Sequence, residues 1–181
     1  MGRPRLAQKF RWQKLPSQLT LHVDSDFAGC MRTRKSTNGG VVQFGDHTLK
    51  TWAKTQSVIA LSSGEAELGA IVKGSTEAMG MRSVLADFGI PVTLRILSDA
   101  SAAIGMVRRE GLGKVRHLAT GDLWVQEKQR TGEISYDKVW GKENPADILT
   151  KGVNQESSER AMQQLGFEAS QRRSTLAPKL T

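Results

Sequence analysis

The hydrophobic pattern changes its period at Ser62, and that change restricts the chain to a mixed fold. Upstream, LTLHVDSDFAG (19–29) sets Leu19, Leu21 and Val23 against Thr20, His22 and Asp24, the two-residue alternation of a strand. GGVVQFG (39–45) and HTLKTWAKT (47–55) are two more β-rich runs, and Gly45-Asp46 between them predicts a hairpin. Downstream, Leu68, Ile71, Val72, Met79, Met81, Val84, Leu85 and Phe88 fall at helical spacings that stop at Gly89-Ile90-Pro91. Ser62-x-x-Glu65 predicts a capping box at the start of that helix. VTLRILSD (92–99) then predicts a strand, ASAAIGMVRRE (100–110) a short helix and HLATGDLWVQEKQRTG (117–132) a helix ending at Gly132. EISYDKVW (133–140) alternates as a strand, and Asn144-Pro145 opens a final helix as N-cap and first residue, with one more helix expected at 155–166. This order, β-β-β-α-β-α-α-β-α, predicts one α/β domain over 19–166.

Charge separates the ends from that domain. The chain has 181 residues, with 26 Lys+Arg and 18 Asp+Glu, a net charge of +8. All of the excess lies in acid-free stretches: Arg3, Arg5, Lys9, Arg11 and Lys14 before residue 19, and Arg172, Arg173 and Lys179 after residue 168. Residues 1–18 and 167–181 are therefore expected to be basic, flexible ends. No apolar run is long enough to span a membrane, and GRPRLAQKFRWQK after Met1 has no secretory core, so an intracellular chain is expected, with cytoplasm and nucleus both open. The single cysteine, Cys30, allows no internal disulfide and reads as a small buried residue. Three scattered histidines with one cysteine do not make a closed zinc site, and His22 reads as a satisfied strand histidine. Of Trp12, Trp52, Trp124 and Trp140, the last three fall inside expected elements and are expected to pack in the core.

Four acids occupy places where chemistry can concentrate. Asp24 lies in the first expected strand, Glu67 in the first turns of the long helix, Asp99 at the end of the fourth strand and Asp147 in the first turn of the final helix. Each has a bland reading taken singly: Asp99 as an N-cap, Asp147 and Glu67 as acids favoured by a helix dipole. Asp24 resists one, because a carboxylate in an apolar strand needs a partner, a metal or exposure. Asp26, two residues on, is its rival on the same face. If the first and fourth strands are adjacent and parallel, Asp24 and Asp99 converge at the end of the sheet where α/β proteins bind ligands. Clustered carboxylates without His or Cys make a hard-oxygen site suited to Mg²⁺ or Mn²⁺ and to phosphodiester chemistry.

Five text blocks then carry a resemblance. HVDSDFAG, RKSTNGG (34–40), TWAKTQSVIALSSGEAELGAI (51–71), ILSDASAAI (96–104) and NPADILTKGV (144–153) stand in an order and spacing similar to the ribonuclease H domain of copia-type LTR retrotransposon polyproteins. The resemblance implies a ribonuclease H-like fold: a five-stranded mixed sheet, its first three strands antiparallel and the rest parallel, with helices on both faces. It implies endonucleolytic hydrolysis of the RNA strand of an RNA–DNA hybrid by two Mg²⁺ ions, with Mn²⁺ as the other candidate. Asp24, Glu67, Asp99 and Asp147 match the family's catalytic, metal-binding acids, and Glu65 better fits the capping role. Asp24 and Asp99 would flank both ions, Glu67 the leaving-group side and Asp147 the side of the attacking water. A reverse transcriptase domain of the same polyprotein is the implied protein partner.

The sequence departs from related proteins in places. GKENPA (141–146) holds no histidine where cellular ribonucleases H often carry one, and RHLATGDLW keeps Arg116-His117 but lacks the second histidine of KHIDIRYHF-like relatives. No basic extra helix precedes Arg116, so Arg108, Arg109, Lys114 and Arg116, with the basic ends, are the candidate phosphate contacts. Two other readings compete: a decayed or repurposed module that binds nucleic acid without cutting it, and another nuclease of the same fold, such as an integrase or a junction resolvase. The wording around Glu67 and Asp147 speaks against the latter.

Overall fold

In the computed structural model, which describes residues 5–110 and 120–170, the first strand is one that the periodicity did not signal, β1 (Arg5–Gln8). The expected alternating runs follow as β2 (Gln18–Ser25), β3 (Thr37–Phe44) and β4 (His47–Thr55). Next come α1 (Ser63–Asp87), β5 (Thr93–Ser98), α2 (Ser101–Arg108), α3 (Thr120–Arg130) and β6 (Ile134–Lys138). Two 3₁₀ turns, Gly141–Glu143 and Pro145–Leu149, lead to α4 (Gln155–Gln164) and β7 (Phe167–Ser170). The main sheet has the order β4-β3-β2-β5-β6. Pairing is antiparallel from β4 to β2 and parallel from β2 through β5 to β6, which is the five-stranded mixed sheet of the ribonuclease H-like fold. Among the described residues no helix is long and apolar enough to cross a membrane.

Local chemistry sets the boundaries. Gly45, at φ +60°, makes the β3–β4 turn, and positive φ is a conformation glycine adopts without strain. The Ser62 hydroxyl accepts from the Glu65 amide at the start of α1, while the Glu65 carboxylate reaches back to the amide of Leu61, one residue beyond the usual capping-box partner. Lys50 and Lys54 lie on the sparsely buried edge strand β4, where charge discourages pairing with another chain.

The sheet is packed on both faces. Leu19, Leu21, Val23 and Val42 meet Leu68 and Ile71 of α1, with Leu94, Ile96, Ile134 and Tyr136 of the parallel half in the same cluster. Full burial of such side chains stabilises by about 1.5–3 kcal/mol each. On the other face Val41 packs with Ala146 and Leu165.

Two expectations are corrected here. Residues 1–18 and 167–181 are not flexible ends throughout. β1 pairs antiparallel with β7, from Arg5 opposite Ser170 to Gln8 opposite Phe167. The Gln13 side chain donates to Phe44 O and accepts from the Asp46 amide, fastening the segment to the β3–β4 turn. Backbone pairing and one side-chain amide order this stretch, and neither leaves a hydrophobic period to read. Residues 1–4 and 171–181 lie outside the described residues, as do 111–119 with the expected start of the third helix. The helix expected from Asn144 is only a 3₁₀ turn, while the further helix expected at 155–166 is present as α4. Asn144 does cap that turn, Pro145–Leu149, accepting from the Ala146 amide. Asn154 then caps α4 separately through the Ser157 amide.

The close approach of α1 to β2 depends on Gly74, where an added Cβ would stand 2.6 Å from Val23 Cγ1. Alanine at a helical glycine gains about 0.5–1 kcal/mol of propensity, but overpacking costs about 1–3 kcal/mol, and buried Val23 is stiff at χ1. Gly74→Ala is therefore expected to lower the melting temperature by a few degrees. Gly80→Ala, on the same helix with nothing within 4 Å of its Cβ position, is expected to raise it by about 2–4 °C. Equal stabilisation by the two substitutions in thermal melts would contradict this packing.

Candidate metal centre

The parallel register of β2 and β5 pairs His22 with Leu97, so the ends of both strands emerge side by side. Asp24 stands near the end of β2 and Asp99 directly follows β5. Glu67 reaches the same place from the second turn of α1. One carboxylate oxygen from each of Asp24, Glu67 and Asp99 lies within 4.8 Å of the others. Asp26 takes no part in this group; its side chain accepts from the Thr37 amide at 2.5 Å and serves the loop after β2.

The bland readings fail for particular reasons. The N-cap of α2 is Ala100 with no side-chain cap bond, so Asp99 does not cap it. Asp24 is fully buried, receiving the Thr150 hydroxyl on Oδ2 and the Lys151 ammonium at 3.3 Å on Oδ1. Glu67 Oε2 is buried with no hydrogen-bond partner, an unsatisfied acceptor at the centre of the group.

Asp147 joins through its own segment. Asn144 Nδ2 donates to Val23 O at 3.0 Å, tying the 3₁₀ turn to β2 just before Asp24. The turn lies against Gly39, whose missing Cβ would meet Thr150 Cγ2 at 2.6 Å and Ala146 O at 3.1 Å. Asp147 Oδ1 then stands 3.3 Å from Lys151 Nζ, so the lysine links the fourth acid to Asp24.

Gathering these charges raises their proton affinities. Burial, then the charges of Asp24 and Asp99, push Glu67 up to about 8, with Lys151 opposing. Burial and Asp24 push Asp147 up to about 6. Asp99 is raised by the same two causes. Burial works against the Lys151 ammonium, but Asp24 and Asp147 hold its pKa above the usual lysine range. An excess of unneutralised carboxylate oxygen, with no nitrogen or sulfur donor in the group, fits a hard divalent cation such as Mg²⁺ or Mn²⁺.

Two of the four basic candidates, Arg108 and Arg109, line a cleft to which none of the four acids belongs. Arg108 donates to Tyr136 O and pairs with Asp137 of β6. Arg109 follows it, and the cleft, of about 500 Å³, is also bordered by Leu123, Gln126 and Arg130. Lys114 and Arg116 lie outside the described residues.

Other expectations shift. Trp52 and Trp124 pack against the core, but Trp140 is 72% exposed. The next residue, Gly141, approaches the centre, because a Cβ there would lie 3.0 Å from Asp99 Oδ2. Cys30 is half-exposed, not buried. His22 Nδ1 is buried without a partner, and burial lowers the ring to about 4. It borders a cavity of about 580 Å³ with Lys9, Arg11 and His47, which none of the four acids lines. Thr150, Lys151 and Gln56 were not foreseen in the sequence. Gln56 Nε2 bonds Asn38 Oδ1 and Ala66 O, joining β3 to α1 beside Glu67. Of these, only Lys151 carries a readable signal, its i+4 spacing from Asp147.

No family model matches the chain. It is 26% identical over 150 residues to the retrovirus-related Pol polyprotein from transposon TNT 1-94 of Nicotiana tabacum, covering 82% of this chain. It is 27% identical over 158 residues to that from transposon RE1 of Arabidopsis thaliana, covering 84%. The chain spans about 11% of the length of these relatives. Among solved structures, LC11-RNase H1, isolated from compost by a metagenomic approach, superposes with a TM-score of 0.55 at 15% identity, covering 81% of this chain and 99% of that one. The chain thus has the ribonuclease H fold on a sequence similar to the Pol polyproteins of plant transposons, a combination that fits the ribonuclease H domain of a copia-type Pol polyprotein.

Proposed function

We propose that this chain is a metal-dependent ribonuclease H that hydrolyses the RNA strand of RNA–DNA hybrids, working beside a reverse transcriptase domain of the same polyprotein. The convergence of Asp24, Glu67 and Asp99 within 4.8 Å at the ends of two parallel strands is the observation that carries this reading. The ribonuclease H fold together with the similarity to Pol polyproteins supports the hybrid as the substrate class.

In this reading Asp24, Glu67, Asp99 and Asp147 hold two Mg²⁺ ions, with Mn²⁺ as a substitute. Bound there, such ions supply Lewis-acid stabilisation of the phosphodiester and activation of water. The protein's own contribution is orientation. The Thr150 hydroxyl fixes one oxygen of Asp24, the Asn144 amide holds the 3₁₀ turn against β2, and burial keeps Glu67 poorly hydrated. Gly141 leaves the approach to Asp99 open, and exposed Trp140 offers a face on which a base or sugar can stack. Arg108, Arg109, Lys114 and Arg116 are proposed phosphate contacts, acting by charge and not by sequence.

The direct test is cleavage of a labelled hybrid by the purified chain with Mg²⁺, with chelator and with Asp99→Asn. Cutting of the RNA strand alone is expected, abolished by chelator. Loss of a metal ligand should cost more than the roughly 10–100-fold typical of outer-sphere partners, so Asp99→Asn is expected to fall by over about a hundredfold. A folded protein that binds the hybrid but cuts in neither Mg²⁺ nor Mn²⁺ would favour a decayed binding module.

Proton linkage gives a second expectation. The folded chain holds Glu67 and Asp147 at raised pKa values, so it binds more protons than the unfolded chain between about pH 4.5 and 8. Without divalent ions, stability should therefore fall as pH rises through that window. Glu67→Gln should flatten the fall and raise the melting temperature at pH 8, and saturating Mg²⁺ should remove the fall in the unmodified chain. Thermal melts across pH in chelator check this; metal-free stability that rises from pH 5 to 8 would contradict it.

A further inference from the structure

We infer that Lys151 is a resident counter-cation of the carboxylate centre, seated between Asp24 and Asp147, which an incoming divalent ion must displace. The inference rests on the metal-dependent reading above and adds the competition that sets the ion's affinity.

The geometry carries it. Lys151 Nζ stands 3.3 Å from Asp24 Oδ1 and 3.3 Å from Asp147 Oδ1. Asp24 has no exposure, so its charge must be met inside the protein, and this ammonium with the Thr150 hydroxyl meets it. The oxygen of Asp24 that the lysine takes is thereby less free for a metal. One ammonium faces four carboxylates, however, and leaves the inner group undercompensated, as the partnerless Glu67 Oε2 records. A divalent ion with several oxygen ligands satisfies what a single ammonium cannot.

The lysine is also built to leave. Its backbone is fixed, with the Lys151 amide bonded to Asp147 O at 3.1 Å. Its side chain is 44% exposed, so the four-carbon stem can swing the ammonium into water without moving the strand ends. Lys138 provides the contrast at the same end of the sheet, opposite Ser98. Its ammonium bonds the Ser101 hydroxyl at 2.6 Å, and its charge is felt by Asp99 without contact.

The test is calorimetric titration of Mg²⁺ into the full chain, alongside Lys151→Met and Lys138→Met, with melts in chelator. Lys151→Met is expected to tighten Mg²⁺ binding by about tenfold, the order expected for a partly buried ion pair lost from the competing state. It should lower the metal-free melting temperature, and saturating Mg²⁺ should restore it. Lys138→Met should change affinity by less than about threefold, the share left to screened charge at a distance. Should Lys151→Met not fold, the unmodified chain still answers. Acylation of Lys151, followed by mass spectrometry, is expected to accelerate when Mg²⁺ saturates the site. Equal gains from the two substitutions would reduce the effect to general charge. Unchanged or weaker Mg²⁺ binding in Lys151→Met, or acylation indifferent to Mg²⁺, would overturn the displacement. If the unmodified chain binds neither Mg²⁺ nor Mn²⁺, the metal-dependent reading itself fails.

Discussion

The crowding of half-buried carboxylates around fully buried Asp24 is the constraint around which this end of the molecule is arranged. Asp24 is fully buried, and Glu67 and Asp99 are brought within 4.8 Å of it. Burial first, and then the neighbouring like charges, oppose ionisation, which is why Glu67 and Asp147 hold protons above the usual carboxylate range. A fold retains such a group when surrounding structure over-determines it. Here the parallel pairing of β2 with β5 fixes two of the acids, the close seat of α1 on β2 at Gly74 fixes the third, and the Asn144 bond to Val23 fixes the fourth.

Local stability and site chemistry are therefore coupled through a few contacts. Gly39 leaves room for the 3₁₀ turn, and that turn delivers Asp147, Thr150 and Lys151 together. Thr150 and Lys151 then compensate Asp24, while Glu67 Oε2 and Asp147 Oδ1 are left without a hydrogen-bond partner. In the proposed metal-dependent reading, the same unmet negative charge gives a divalent cation a place to bind.

The sheet and its long helix were legible because their signals are periodic. Alternation in 19–25 and 93–98, and apolar spacing after Ser62, each report burial of one face. Asp24, Glu67 and Asp99 could be singled out from position and wording, but their convergence needed the pairing of β2 with β5, which no single segment encodes. What escaped was carried by single side chains and backbone: the β1–β7 pairing, Gln13 on the β3–β4 turn and the Thr150 hydroxyl on Asp24. The final helix was misread because Pro145 and the Asn144 cap mark where a helical turn starts and not how long it continues. Trp140 was misread because its strand, β6, ends at Lys138, two residues earlier.

The most direct measurement is anomalous diffraction from crystals of the chain grown with Mn²⁺ and an uncleavable RNA–DNA hybrid. Two anomalous peaks bounded by Asp24, Glu67, Asp99 and Asp147, with the RNA strand's phosphate between them and Lys151 withdrawn, are the expected result. Manganese absent from those carboxylates, with the hybrid bound elsewhere on the surface, would contradict the account.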